Sequence, residues 1–388
     1  MIRIRSRRIR EMGLLAGAAA MLLLASPAVA QKYPLTPLPD DAERDFWWYH
    51  QVVDEDALKR LQDVVGAPGV PISVALERPV EIAMIYPSQD VSDAWLRAYI
   101  AMNERLAELK IPVNVTQYAS GMGDHELQTT YTDQVLQNAD QFDYVLFGPT
   151  ELSLQADNVK RLIDHPDLEV IVMNYDQPPQ AWGDEQPLAY TGFSHLAGAL
   201  IMCDYIIENV GTEGTYALIR GTPGSIDNQR SGGFQECLEE KSDWTMAYEH
   251  YGNFLREGGY DGANLIITAY PEVTLIHTAS TAMGMGALSA ASALDRLDDV
   301  FITAWGGTGE ELDALRHGEL NATPMRMGDD WGTSLAEILK ADLEGRHEDI
   351  PLVFLGRITT LHKDMSAEEI DALEREAFRY SGIGTLER

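Results

Sequence analysis

The sequence predicts an α/β protein built on two parallel sheets, and three observations point to it. Short continuous apolar runs alternate with amphipathic helical segments almost to the C-terminus, the pattern of parallel sheets covered on both faces. About ten such units are too many for one open doubly wound sheet. A loop rich in Pro and polar residues, Asp176 to Pro187, interrupts the alternation, and we take it as the crossover between lobes.

The elements follow in order. Strands are expected at Glu81–Tyr86, Tyr144–Phe147, Glu169–Met173, Thr215–Ile219, Thr274–Thr278, Val300–Ala304 and Leu352–Leu355. After the first of these, Trp95, Tyr99, Met102, Leu106 and Leu109 recur on one face of a helix. Ser366 with Glu369 three residues on is a capping box, and Met365 can staple to Ile370. Gly284-Met285-Gly286 falls in mid-helix and lacks the third glycine of a dinucleotide loop, so it reads as helix packing. Ahead of residue 81, Phe46-Trp47-Trp48-Tyr49 and a polar helix form an N-terminal extension, residues 31–80.

Residues 1–30 read as an export signal. Five arginines (Arg3, Arg5, Arg7, Arg8, Arg10) precede an apolar run from Met12 to Ala25, and Ala28-Val29-Ala30 offers a cleavage site after Ala30. At about fourteen residues the run is short of the ~20 that span a bilayer. Arg7-Arg8 fits either general secretion or a twin-arginine signal. The expected location is the periplasm, with no membrane insertion after cleavage. Export permits a disulfide between Cys203 and Cys237, which sit in consecutive helices flanking one strand; two buried free thiols fit the sequence equally.

Composition narrows the function. The 388 residues carry 29 Lys+Arg against 61 Asp+Glu, a formal charge of −32. Losing five Arg and Glu11 with the signal makes it −36. A surface this acidic repels phosphate, so nucleic acid is excluded as a partner. A 45% hydrophobic content excludes disorder. Two Cys cannot build a structural zinc cage, and the nine His show no metal spacing; His125, His195 and His277 read as caps or core. There is no nucleophile elbow, HExxH or P-loop, and no catalytic residue is assigned.

Ligands of open α/β sheets sit beyond the carboxyl ends of the strands. The residues there are Asp90, Ser92, Trp95, Asn174, Arg230, Ser280, Thr281, Trp305 and Arg326. Aromatic faces that stack on a ring, with fixed donors and acceptors for its hydroxyls, suit a small polyhydroxylated ligand.

These residues stand in motifs that resemble the LuxP-like family of periplasmic autoinducer-2 receptors. The motifs are Tyr86-Pro87-Ser88-Gln89-Asp90-Val91-Ser92-Asp93-Ala94-Trp95, Trp305-Gly306-Gly307 with Glu311-Leu312-Asp313-Ala314, Met325-Arg326-Met327 with Asp329-Asp330, and Ala377-Phe378-Arg379-Tyr380-Ser381. The similarity runs from about residue 80 to 382 and implies a type I periplasmic binding protein. That fold has two Rossmann-like lobes, a three-stranded hinge and a cleft between the lobes. Lobe 1 is then 81–187 plus 308–346, and lobe 2 is 188–307 plus 347–388. The family's ligand contacts fall on Ser92, Trp95, Asn174, Arg230, Ser280, Thr281, Trp305 and Arg326. The two arginines answer the charge of a furanosyl borate diester, borate being part of the ligand and no cofactor being needed.

Two positions depart from that pattern. Asp90 replaces Gln, and Ala282 replaces Asp. A carboxylate at 90 disfavours an anionic borate ligand and favours a neutral polyol. Three functions follow in order of expectation. The first is a receptor whose closed form engages a membrane sensor histidine kinase, and the second a pentose-like solute-binding protein serving an ABC permease. The last is a secreted enzyme using Asp90 as general base.

Overall fold

The computed structural model describes Phe46, Val52 and residues 54–88, 93–121 and 124–382. The signal segment, Trp47 to Tyr49, Asp90 and Ser92 lie outside the described residues.

Twelve strands are present among these residues, in two six-stranded sheets. The first contains β1 (Val80–Pro87), β2 (Val113–Ser120), β3 (Tyr144–Phe147), β4 (Glu169–Met173), β5 (Ala189–Gly192) and β11 (Val353–Leu355), in the order β11-β5-β4-β3-β1-β2. The second contains β6 (Glu213–Arg220), β7 (Asp243–Tyr251), β8 (Leu275–Thr278), β9 (Phe301–Thr303), β10 (Ala322–Arg326) and β12 (Ile358–His362), in the order β12-β10-β9-β8-β6-β7. All pairings are parallel except β10 with β12. Central strands such as β3, β4 and β8 are buried almost end to end, as a sheet covered on both faces requires. The edge strand β2 is partly or fully exposed at every position but its last, Ser120. Its mixed sequence, VNVTQYAS, hid it from an apolar-run reading.

The helices that matter for the site are α1 (Glu55–Val65), α2 (Asp93–Glu108), α3 (His125–Gln137), α4 (Leu152–Ile163), α5 (His195–Asn209), α6 (Gly233–Lys241), α7 (Arg256–Ala269), α8 (Thr281–Ala293), α9 (Gly309–Arg316), α10 (Asp329–Leu343) and α11 (Ala367–Ala377). The apolar stripe expected after β1 is α2: Trp95, Met102 and Leu106 are buried along it, with Leu109 just beyond its end. The capping box forms at Ser366 and Glu369, and Met365 packs against the core cluster that holds Ile370. Gly286 serves helix packing: a Cβ there would lie 2.1 Å from the Arg256 carbonyl oxygen of α7. Phe46 bridges to Pro179, and the Gln180 side chain donates to its carbonyl at 2.8 Å.

The expected lobe boundaries need correction. The Pro-rich loop does not leave the first sheet, because β5 follows it and pairs with both β4 and β11. The chain crosses at Phe193. It returns after Arg326, not near 307, since β10 belongs to the second sheet and α10 packs on α2. It crosses again at Gly356–Arg357, not near 347, because β11 completes the first sheet. β5, a strand of four residues after the Pro-rich loop, is not among the expected strands, and β11 is expected as a strand but in the other lobe, because its sheet is fixed by pairing with β5. The three crossings run side by side: Gly356 donates to the Gly192 carbonyl at 2.8 Å and Met327 to the Arg357 carbonyl at 2.8 Å.

Cys203 on α5 and Cys237 on α6 form a disulfide with a Cα–Cα separation of 6.2 Å, which settles the alternative that the sequence left open. The bridge staples two helices on one side of the second sheet, within a cluster that includes Met202, Tyr216, Phe234 and Trp244. Replacing both cysteines by Ala should cost about 2–4 kcal/mol for a closed loop of this size, read from urea unfolding. A reductant should shift the wild-type midpoint by the same amount and leave the double variant unmoved.

Candidate functional site

Seven of the nine expected site residues line one cavity: Trp95, Asn174, Arg230, Ser280, Thr281, Trp305 and Arg326. The remaining two, Asp90 and Ser92, lie outside the described residues. The lining draws on both sheets. From the first lobe come Asn174, one residue past β4, Trp95 near the start of α2, and Trp331 on α10. The second lobe supplies Arg230, Trp305 just past β9, Arg326 at the end of β10, and Ser280 and Thr281 at the start of α8. Parallel strands all end on the same edge of their sheet, so residues far apart in sequence meet there.

Trp305 is the floor of the second lobe's half. It is almost fully buried, and α5 lies so close that a Cβ at Gly198 would sit 2.5 Å from its Cζ2. The Arg230 guanidinium carbon stands 3.7 Å above the Trp305 ring centroid, with that of Arg326 at 5.6 Å. A guanidinium on an indole face in a dry site gains about 2 kcal/mol. Across the cleft Trp95 meets Trp331 edge-on at 4.9 Å, and the Trp331 indole N–H donates to Thr191 Oγ1 at 3.2 Å.

Neither arginine is paired to a carboxylate among the described residues. Arg230 Nη1 donates to the Ala279 carbonyl at 2.9 Å and its Nε to His195 Nδ1 at 3.2 Å. Arg326 Nε donates to the Gly306 carbonyl at 3.3 Å. Burial and then the charge of Arg326 pull the Arg230 pKa well down, although a guanidinium stays charged. Several N–H groups of each fork therefore remain for a ligand. Two further polar atoms, Asn174 Oδ1 and Trp305 Nε1, are buried without a hydrogen-bond partner among the described residues. Asn174 sits at φ +63, a left-handed conformation that Asn tolerates better than most residues.

Behind Arg326 lies a buried carboxyl that motif reading did not single out as a site residue. Glu311 accepts from Thr308 N at 2.6 Å and from Thr323 Oγ1 at 3.3 Å. Burial pushes it up to about 7, partly offset by its hydrogen bonds and by Arg326. The other residues that the sequence reading missed are Ala94, Ile226, Phe254 and Trp331. Ile226 and Phe254 stand in loops and a single turn where no periodicity flags them, whereas Trp331 follows a quoted motif by one residue. His195 and His277 are fully buried, as expected of core histidines.

The lobes also touch beside the cleft. Gln229 Nε2 donates to Asp176 Oδ1 at 2.9 Å, and Ser225 Oγ pairs with Gln177 Oε1. Burial raises Asp176 to about 6.

The sequence profile described as "Periplasmic binding protein domain" matches residues 82–347, more than half of the chain. The ribose import binding protein of Salmonella typhimurium is 25% identical over 207 residues, which are 52% of this chain and 66% of that protein. A D-apiose import binding protein of Actinobacillus succinogenes is 24% identical over 151 residues, 38% of this chain and 48% of that one. Among solved structures, an Agrobacterium vitis ABC transporter solute binding protein bound with α-D-tagatopyranose superposes with a TM-score of 0.67 at 17% identity. That alignment covers 76% of this chain and 98% of the other. Among the described residues no helix is long and apolar enough to cross a membrane.

Glu311 makes a pH prediction. Its folded pKa is raised from 4.5 to about 7, so its stabilising proton is fully bound below the unfolded value and is lost as pH rises through about 7. Glu311→Gln keeps a side-chain acceptor for the Thr308 N–H and never ionises. Urea unfolding should show the variant gaining on wild type by about 2 kcal/mol between pH 5 and pH 7.5. A difference that does not vary with pH would sink this assignment.

Proposed function

The chain belongs to the periplasmic binding protein family, a family of solute binders rather than enzymes, and from that premise we propose that it captures a small sugar-like polyol in the periplasm for an ABC importer. One observation carries the reading. Aromatic faces and unspent guanidinium donors from two separate sheets converge on one cleft. A sugar ring offers an apolar C–H face to stack on Trp95, and hydroxyl oxygens to accept from Arg230 and Arg326, which Trp305 supports from beneath. Ser280 and Thr281 add hydroxyls at the start of α8, and Asn174 adds a side-chain Oδ1 that has no partner among the described residues.

Binding is then a choice between open and closed arrangements about the three crossings. A ligand touching both lobes favours closure by its differential affinity. The relatives named for ribose and apiose import favour this reading over the autoinducer-2 receptor expected from motif resemblance. The receptor stays a second reading because of the arginine pair, which suits an oxyanion.

Thermal shift and calorimetry with D-ribose, D-allose, D-apiose and D-tagatose, and with autoinducer-2 with and without borate, separate the two. Micromolar or tighter binding of one sugar is expected. A response to autoinducer-2 alone would instead select the receptor, and turnover of any of these compounds would select an enzyme. With the sugar that binds, Arg230→Ala or Arg326→Ala should weaken affinity by about 2–4 kcal/mol, because each leaves a desolvated ligand oxygen unpaired. Unchanged affinity in both variants would remove the arginines from the site.

A further inference from the structure

We infer that His195 is the positioning residue that aims Arg230 into the cleft, using a single neutral tautomer that ties the second lobe's arginine to the first lobe's Asn174. The inference rests on the solute-binding reading of the cleft, and it concerns a residue that does not line the cavity.

His195 is the first residue of α5, just past the first crossing, and it is fully buried. Its Nε2 stands 3.1 Å from the Asn174 carbonyl oxygen, which can only accept, so Nε2 carries the hydrogen. Nδ1 is then a lone pair. Both Nε and Nη2 of Arg230 reach that lone pair at 3.2 Å. The imidazole thus clasps one edge of the guanidinium, while the Ala279 carbonyl holds Nη1 and Trp305 lies beneath. The remaining N–H bonds of the fork are left for the ligand.

The choice of imidazole has a consequence for charge. A carboxylate in its place would form a bidentate pair and cancel the arginine's charge inside the cleft. A neutral lone pair orients the guanidinium and leaves that charge to the ligand. Protonation would put an N–H against the fork and break the clasp. The charged and titratable groups around the ring oppose this in sum. Arg230 and Arg326 disfavour the imidazolium, and Asp176, which accepts from the His195 backbone N–H, is an acidic neighbour. Burial first, and then the arginines, hold His195 well below the ordinary histidine value.

Two measurements on the full chain test this. The first needs no ligand. In ¹⁵N-histidine NMR, with the signal assigned by its loss in His195→Asn, the ring should show the Nε2–H tautomer and no titration between pH 5 and 8. An Nδ1–H tautomer, or titration in that window, overturns the inference. The second compares variants with whichever of D-ribose, D-allose, D-apiose and D-tagatose gives the largest thermal shift. His195→Asn keeps an acceptor where Nδ1 stands, whereas His195→Gln and His195→Leu do not. Affinity should fall by about fivefold or less for Asn and by roughly thirtyfold or more for Gln and Leu. Equal losses in all three, at matched melting temperatures, would reduce His195 to packing. If none of the four sugars shifts the melting temperature, the sugar reading fails and the NMR result still decides the tautomer.

Discussion

A guanidinium seated over a buried indole, Arg230 on Trp305, is the contact around which the cleft is organised. For Trp305 to lie there, α5 must come within van der Waals distance of its ring, and Gly198 provides the room. For Arg230 to lie above it without a neutralising carboxylate, its inner edge must be met by neutral acceptors. Ala279, at the end of the β8 turn, and His195, at the head of α5, supply them. Each of these residues is placed by a different strand end, so the contact exists only once the second sheet is assembled in the order found.

The same geometry explains why two lobes are needed. The second lobe alone presents cationic donors over an aromatic floor; the first adds a facing aromatic pair, Trp95 and Trp331, and the Asn174 turn. Three adjacent crossings hold the halves together through backbone hydrogen bonds, and side-chain pairs such as Gln229 with Asp176 and Ser225 with Gln177 join them beside the cleft. On the proposed solute-binding function, a ligand that touches both lobes tips the balance between arrangements of the halves.

Electrostatics divides by depth. The chain as a whole is strongly acidic, with a formal charge of −32. Exposed charges are screened within about 8 Å at 0.15 M salt, so the surface field governs solubility and long-range approach. Inside the cleft two cations are held by carbonyl and imidazole acceptors, and a carboxyl behind them, Glu311, is itself raised by burial. On the proposed reading, the affinity for a neutral polyol is set by these near groups.

Much of this was legible in the chain, because local chemistry repeats. Tyr144–Phe147 and Glu169–Met173 form strands with the bounds expected of them, and Ser366 caps its helix through Glu369. Strand-end logic brought together Trp95, Asn174, Arg230, Ser280, Thr281, Trp305 and Arg326, since parallel sheets force their carboxyl edges to one side. The lobe boundaries were not legible, because β5 went unread and the sheet that β5 and β11 join is chosen by distant partners. The sequence by itself thus determined the class of fold and the chemical kind of residues at the cleft. Only the tertiary structure decided that Cys203 meets Cys237, where the chain crosses, and that His195, indistinguishable in sequence from a core histidine, faces the arginine. Those are relations between segments far apart along the chain, set by packing and not by any local preference.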